Sequence, residues 1–584
     1  MVAGSMQVFA SRHRRLSNRS RRMRIERYLI VMSPILFSCC STEPEQQQAG
    51  SDPQVSNTPW FVEAASQRGL DFIHQSGHDG KPEFPEIIGS GVAILDMEND
   101  GDLDIYVVQS GNLHAIGAKS NANVIYRNDG SGRFTDVTST AGDAGDCGYG
   151  MGVAAGDIDR DGDVDLYVTN FGPDVLLRNN GDGSFTDITE ESALGHEGWG
   201  ASAAFLDWNH DGHLDLAVTN YVDWNPAMHM DCPGPGGRPD YCAPNAFKAP
   251  APDVLYRNNG DGTFVDVSLT AGWRAVFGNG LGIVPLDYDE DGLTDVFIAN
   301  DQLRNQLWRN QGDGTFVDQS MVCGVAVDGH GEPKAGMGVD AADVDDDGDL
   351  DLLVVNLSAQ SDSFFRNEGG WFIDGTGAAG LGSFSRPYTR FGMGFHDFNN
   401  DGYLDLYMAN GRVLRRDVVA GDPYAEVNVL MKGLGKGRFE GVMPPGGLVD
   451  SPVYTSRGAA FGDLDGDGGL DVVIINRDAP LSLLMNTLDD RGGFISIDLV
   501  DSDGAPAELA TVTYQLGDRK IRREVRTASS YLSANPHRLH LGLGDYPAIR
   551  EVKVHWPNGE MELFGDLESG SSVRLEQGQG LSER

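Results

Sequence analysis

The sequence predicts an all-β fold, a ring of seven four-stranded blades followed by a smaller β-rich domain, and three observations carry that prediction. A nine-residue acidic loop occurs seven times along the chain. Each copy passes directly into a β-branched, apolar run that reads as strand. Downstream of each stands a second turn, as in "YRNDGSGRF", "LRNNGDGSF", "YRNNGDGTF", "WRNQGDGTF" and "FRNEGGWF", with eroded forms "MKGLGKGRF" and "MNTLDDRGGF". Asn-Gly and Asp-Gly between apolar runs are strong hairpin signals, so each repeat holds two hairpins, or four short strands.

The second loop, "GDIDRDGDVDLYVTN" (156–170), shows what the acidic positions are for. Asp157, Asp159 and Asp161 occupy positions 1, 3 and 5, Gly162 position 6 and Asp165 position 9, while Asp163 at position 7 offers a backbone carbonyl. That is the order in which a tight turn wraps oxygens around Ca²⁺. The glycine serves a backbone conformation that a β-carbon makes costly. An EF-hand begins the same way but needs a bidentate Glu at position 12 and a helix after it. Here position 12 is Val168 and a strand follows, so the loop joins two strands.

The same positions recur in every copy. First positions are Asp96, Asp157, Asp207, Asp287, Asp343, Asp397 and Asp463; third positions are Glu98, Asp159, Asn209, Asp289, Asp345, Asn399 and Asp465. Fifth positions are Asp100, Asp161, Asp211, Asp291, Asp347, Asp401 and Asp467; ninth positions are Asp104, Asp165, Asp215, Asp295, Asp351, Asp405 and Asp471. Up to seven structural Ca²⁺ ions follow, with weaker binding expected in loops three and six, which carry Asn, and looser geometry in loop one, which carries Glu.

Five residues before each first Asp stands Gly91, Gly152, Ser202, Gly282, Gly338, Gly392 or Gly458, as if an inner strand had no room for a side chain. Inner strands converging around a channel describe a seven-bladed β-propeller; a linear solenoid is less favoured because capping repeats are not evident. "WFVEAASQRGL" (60–70) resembles "FVDVSLTAGW" (264–273), an outer strand and its exit, yet precedes the first loop. It is therefore expected to complete the seventh blade and close the ring.

These residues carry a resemblance. The small-residue strand, the D-x-D-x-D-G-x-x-D loop and the N-G-D-G-T-F turn resemble the FG-GAP (VCBS) repeats of integrin α-subunit propellers and bacterial surface proteins. "SSYLSANPHRLHLGLG" (529–544) and "VKVHWPNGE" (552–560) are similar to the ASPIC/UnbV domain of the cartilage acidic protein-like family, here as a bacterial lipoprotein-type member. The expected organisation is a signal or lipoprotein segment over 1–40, a flexible tether over 41–59, the propeller over 60–490, the ASPIC/UnbV domain over 491–578 and a tail over 579–584.

The N-terminus reads as an address. An Arg-rich stretch precedes "YLIVMSPILF" (28–37), which is too short to span a bilayer, and Leu36 to Cys39 resemble a lipobox with Cys39 as the lipidated residue. Met23 would make the more ordinary start. The 80-residue interval between Asp207 and Asp287 contains Cys232 and Cys242 in a Gly- and Pro-rich segment. Outside the cytoplasm a disulfide is the expected state, with free thiols or a zinc site near His229 as alternatives.

Formal net charge is −43, although residues 1–27 hold eight Arg and one Glu. No basic stripe interleaves with aromatics, which argues against nucleic acid. His74, His78, His114, His196, His210, His213, His330 and His396 show no metal-ligand spacing apart from His210 and His213, and G-x-S-x-G, H-E-x-x-H and phosphate-binding glycine loops are lacking. The expected role is calcium-dependent binding or scaffolding of a protein or glycan at the cell surface, in an exported or secreted protein that meets the membrane only through a lipid anchor. The alternative is a secreted enzyme of carbohydrate or phosphoester chemistry, with its site at the channel mouth or domain interface.

Overall fold

The computed structural model describes residues 58–416 and 421–582. The signal segment, Cys39 and nearly all of the tether lie outside the described residues.

Blade four shows the common plan. Its strands Gly280–Leu286, Asp295–Asn300, Gln306–Asn310 and Phe316–Asp318 pair antiparallel in that order. In every blade the acidic loop joins the first strand to the second, and the ninth-position Asp opens the second strand. First strands of neighbouring blades pack on one another all the way round, with that of blade seven against that of blade one. The ring closes as the sequence anticipates: Phe61–Glu63 pairs antiparallel with Ser482–Asn486, giving blade seven its outermost strand from the beginning of the chain.

After the ring, Gly493–Val500 pairs with Arg538–Gly544 and Ser571–Glu576, while Arg519–Glu524, Thr511–Leu516, Ala548–His555 and Met561–Glu568 form a second sheet. Ile495, Ile497, Val512, Leu541, Val552 and Trp556 fill the space between them. One part of this region does not stay there. Ala528–Ser529 and Ser533–Ala534 form a hairpin that joins the blade-one sheet, with Ala534 beside Ala93 in parallel register.

The hairpin tip fills the channel, and together with the convergence of the blades it accounts for the small inner-strand residues. Tyr531 and Leu532 are 0% exposed. Val153 N–H donates to Leu532 O at 3.1 Å, and Ser530 and Val339 exchange backbone hydrogen bonds of 2.8 and 3.0 Å. A β-carbon on Gly91 would lie 1.6 Å from Leu532 O, and one on Gly338 would lie 2.0 Å from Phe391 O of the next blade.

The far end of the channel is closed by apolar side chains. Phe84, Tyr149, Trp199, Tyr221 and Trp224 are buried together there with Tyr531 and Leu532. Cys232 and Cys242 are bridged, with Cα atoms 5.3 Å apart; the loop they close brings Tyr241 to this cap, and Phe247 follows just beyond it. Cys147 and Cys323 are unpaired.

Candidate metal centres

The acidic turns hold their shape by one repeated set of hydrogen bonds. The first-position carboxylate accepts from the sixth-position glycine N–H, from 2.7 Å at Asp397 and Gly402 to 3.2 Å at Asp343 and Gly348. The fifth-position carboxylate accepts from the N–H two residues on, as Asp291 does from Leu293 at 3.0 Å. At the ninth position one oxygen accepts the N–H that ends the third strand, as Asp295 does from Asn310 and Asp165 from Asn179, both at 2.7 Å. The second oxygen often accepts backbone too, as Asp287 Oδ1 does from Asp291 N–H at 3.1 Å and Asp165 Oδ2 from Ile158 N–H at 3.0 Å, but in some turns it does not.

Several available oxygens are buried with no hydrogen-bond donor: Glu98 Oε2, Asp215 Oδ2, Asp289 Oδ1, Asp295 Oδ2, Asp345 Oδ1, Asp463 Oδ1 and Asp465 Oδ1. A buried anionic oxygen without a donor costs free energy, and a bound cation would satisfy it. Neighbouring side chains do not do so. In loop four Arg309 reaches the outer oxygens of Asp289 and Asp291 at 2.6 Å, yet Asp289 Oδ1 stays unpartnered. Among the described residues, four groups bring ligand atoms within 4.8 Å of one another: Asp157, Asp159 and Asp165; Asp287, Asp289 and Asp291; Asp343, Asp345 and Asp347; Asp463, Asp465 and Asp471. These are the loops with Asp at all four ligand positions. The three with Glu98, Asn209 or Asn399 at position 3 are the ones expected to be looser. An all-oxygen donor set of this kind suits a hard divalent ion.

Electrostatics agree. Burial pushes Asp104, Asp215, Asp295 and Asp351 up to about 8, with nearby carboxylates adding to the rise and backbone hydrogen bonds opposing it. Burial likewise raises Asp157, Asp287 and Asp463 to about 6, and Asp343 and Asp397 to about 7. Without a cation the turns hold more negative charge than their surroundings solvate.

The loops also tie blade to blade through a residue whose role the sequence reading missed. Asn310 Nδ2 donates to Trp208 O of blade three at 2.7 Å, and Asn128, Asn179, Asn258, Asn367 and Asn486 make the same bond to the second-position carbonyl of the preceding loop. The signal was visible as the Asn that opens each well-formed second turn. Blade six, with the eroded turn, has Gly433 there.

His74 is buried against Ser110 Oγ at 3.0 Å and burial lowers it to about 4. His396 lines a small cavity of about 120 Å³ between the ring and the C-terminal sheets, its Nε2 unpartnered. A larger cleft of about 510 Å³ lies between loops three to five and the C-terminal region, lined by His210, Lys520, His555 and Trp556 among others.

FG-GAP-like repeats match residues 96–168, 158–218, 237–298, 287–354 and 343–408, each match ending at the twelfth position of a loop. An ASPIC and UnbV domain matches residues 505–582. The chain is 26% identical to human cartilage acidic protein 1 over 513 residues, covering 82% of this chain and 70% of that protein. The mouse protein is 25% identical, with 82% and 72% covered. Among solved structures, the BP39L lectin from Burkholderia pseudomallei aligns over 68% of this chain and 96% of its own at 11% identity, with a TM-score of 0.41. With the repeated loops, the closed ring and the matched repeats in agreement, the chain belongs to the FG-GAP-like repeat family and ends in an ASPIC and UnbV domain.

Proposed function

We propose that this chain is a calcium-stabilised binding or scaffold protein of the cell surface or extracellular space. The observation that carries the calcium part is the set of buried carboxylate oxygens without donors at ligand positions of the repeated turns. Calcium bound there supplies positive charge to oxygens that the fold has already gathered. Because it binds the folded chain, each occupied loop raises stability by mass action, about 2.7 kcal/mol at a hundredfold excess over Kd. Several occupied loops together outweigh any single substitution. Thermal melts of one preparation in excess Ca²⁺ and in chelator test this: the midpoint is expected to fall clearly on chelation, and identical midpoints reject it.

Binding is favoured over catalysis because the regular carboxylates are committed to the turns and the channel is filled by side chains. With a formal charge of −43, the surface suits basic or cation-bridged protein or glycan partners, with affinity that weakens as salt rises. The Cys232–Cys242 bridge supports export, since disulfides persist in oxidising compartments. Cys39 is the proposed lipid anchor. The enzyme alternative keeps its place in the clefts between the turns and the C-terminal region, such as the one beside His555 and Trp556. Turnover in a screen of glycoside and phosphoester substrates that survives repurification and is abolished by His555→Ala would favour it.

A further inference from the structure

The fourth residue of every acidic turn lies in the left-handed region: φ is 55° at Asn99, 63° at Arg160, 57° at His210, 55° at Glu290, 62° at Asp346, 56° at Asn400 and 69° at Gly466. For a residue with a β-carbon this conformation costs on the order of 1–3 kcal/mol and persists only where its surroundings enforce it. The turn therefore has an inside and an outside. The carboxylates at positions 1, 3, 5 and 9 gather inside, and the fourth side chain and sixth carbonyl stand outside.

The outside atoms are the ones the C-terminal region holds. Arg160 donates to Asp501 and Asp503, both at 2.7 Å. Glu290 accepts from Arg522 and Asp346 from Arg519, both at 2.9 Å, and Asn400 Oδ1 meets His540 Nε2 at 2.8 Å. The sixth-position carbonyls follow suit: Gly101 O accepts from Arg538 at 3.1 Å, Gly348 O from Arg522 at 3.0 Å and Gly402 O from Arg519 at 2.7 Å. None of these contacts uses a ligand-position carboxylate, whereas Arg491, at the start of the region, does reach Asp467 Oδ2 in loop seven at 2.9 Å. The strand Arg519–Glu524 thus lays its guanidiniums across the acidic face of the ring, and the hairpin that follows it enters the channel.

We infer that cation occupancy of the turns and seating of the C-terminal domain are coupled, so that the metal loops are the docking surface for that domain. This rests on the calcium reading above. Closing a turn around a cation fixes the left-handed fourth residue and the sixth carbonyl that the domain grips. Opening it under carboxylate repulsion removes both. By linkage, the seated domain must raise loop affinity by the same factor that the cation strengthens seating.

The test uses the full chain. Equilibrium dialysis counts bound Ca²⁺, and amide exchange is followed over residues 528–534, where Ser530 N–H is held by Val339 O inside the channel. The expected result is exchange at least about tenfold faster in chelator than in Ca²⁺. Equal exchange in the two states, with calcium counted on the protein, overturns the coupling while leaving the calcium reading intact. If dialysis retains no calcium, the calcium reading fails and the coupling fails with it. The reciprocal arm is the Arg519→Ala, Arg522→Ala double variant, which is expected to bind Ca²⁺ more weakly. Should it lose its fold, the exchange comparison on the unaltered chain still decides; unchanged affinity in a folded variant overturns the reciprocity.

Discussion

At one end of the ring the acidic turns of blades one, four, five and six meet the guanidiniums of Arg519, Arg522 and Arg538, while at the other Phe84, Trp199, Tyr221 and Trp224 pack into an apolar cap beside a disulfide loop. Both ends are built on the same strands: Glu197–Leu206 has Trp199 near its start and runs into the third acidic turn, whose first residue is Asp207. Their chemistry differs because the blades repeat and the cap does not. A repeated turn can carry one charged device seven times, whereas the cap joins unlike residues of the inner strands, such as Trp199 and Phe391, to residues of insertions, such as Phe84 and Tyr241. Stability at the loop end is therefore conditional on ions and pH, and at the cap end on packing.

The largest expected effect comes from pH. The ninth-position carboxyls Asp104, Asp215, Asp295 and Asp351 stand at about 8 in the metal-free folded chain, against about 4 when unfolded. A raised folded value means that the folded chain holds protons the unfolded chain has released. The stabilisation is thus full below about pH 4 and is lost as pH rises through about 8. Buried histidines act in the other direction, but His74, His396 and His540 are lowered to about 4, 3 and 4, so above about pH 6.5 they are neutral in both states. Between pH 6.5 and 8.5 the chelated protein should lose up to about 1.4 kcal/mol per group per pH unit, and the calcium-loaded protein far less. A gap between the two melting curves that does not widen over this window would break the assignment of charge to the loop end.

At the cap, Trp199→Ala removes a buried ring that meets Phe84, Phe171 and Tyr221 edge-on at 5.2 to 5.4 Å. The expected loss is about 3–5 kcal/mol. The strand between Trp199 and the acidic turn spans more than about 20 Å, and distant sites are close to additive. Calcium affinity by dialysis should therefore stay within about twofold of the parent. A large fall in affinity would mean that the two ends are one cooperative unit.

The ring was legible in the sequence because its signals are local and repeated: the acidic turn, the small inner residue and the Asn-Gly hairpin each sit within a few positions. The closing strand at Phe61 was legible for the same reason, as an outer-strand motif without a blade of its own. What was hidden depends on long-range placement. The run "DRKIRREVR" (518–526) is a conspicuous basic stretch in an acidic chain, but nothing local says that it covers the loops. "SSYLSAN" (529–535) identified a domain without revealing that Tyr531 and Leu532 fill the channel. The cap was opaque because its aromatics, from Phe84 to Tyr531, come from widely separated segments.

The smallest expected effect lies inside the loop end, in the bond that fastens each turn to the next blade. Asn310→Ala removes the donors to Trp208 O and Thr294 O, leaving buried carbonyls short of a partner. A cost of about 1–3 kcal/mol follows. Blade six tests whether that bond could be present everywhere. Gly433 occupies the equivalent position and makes only the backbone bond to Asp405, at 2.8 Å. A β-carbon there would lie 2.2 Å from Leu404 O, so the strand runs closer to its own turn than in the other blades. Gly433→Asn should consequently destabilise the protein, since no side chain fits without moving backbone. If Gly433→Asn instead raised the melting midpoint, blade six would be an eroded copy of its neighbours, and the close approach of its third strand would not be a feature the fold depends on.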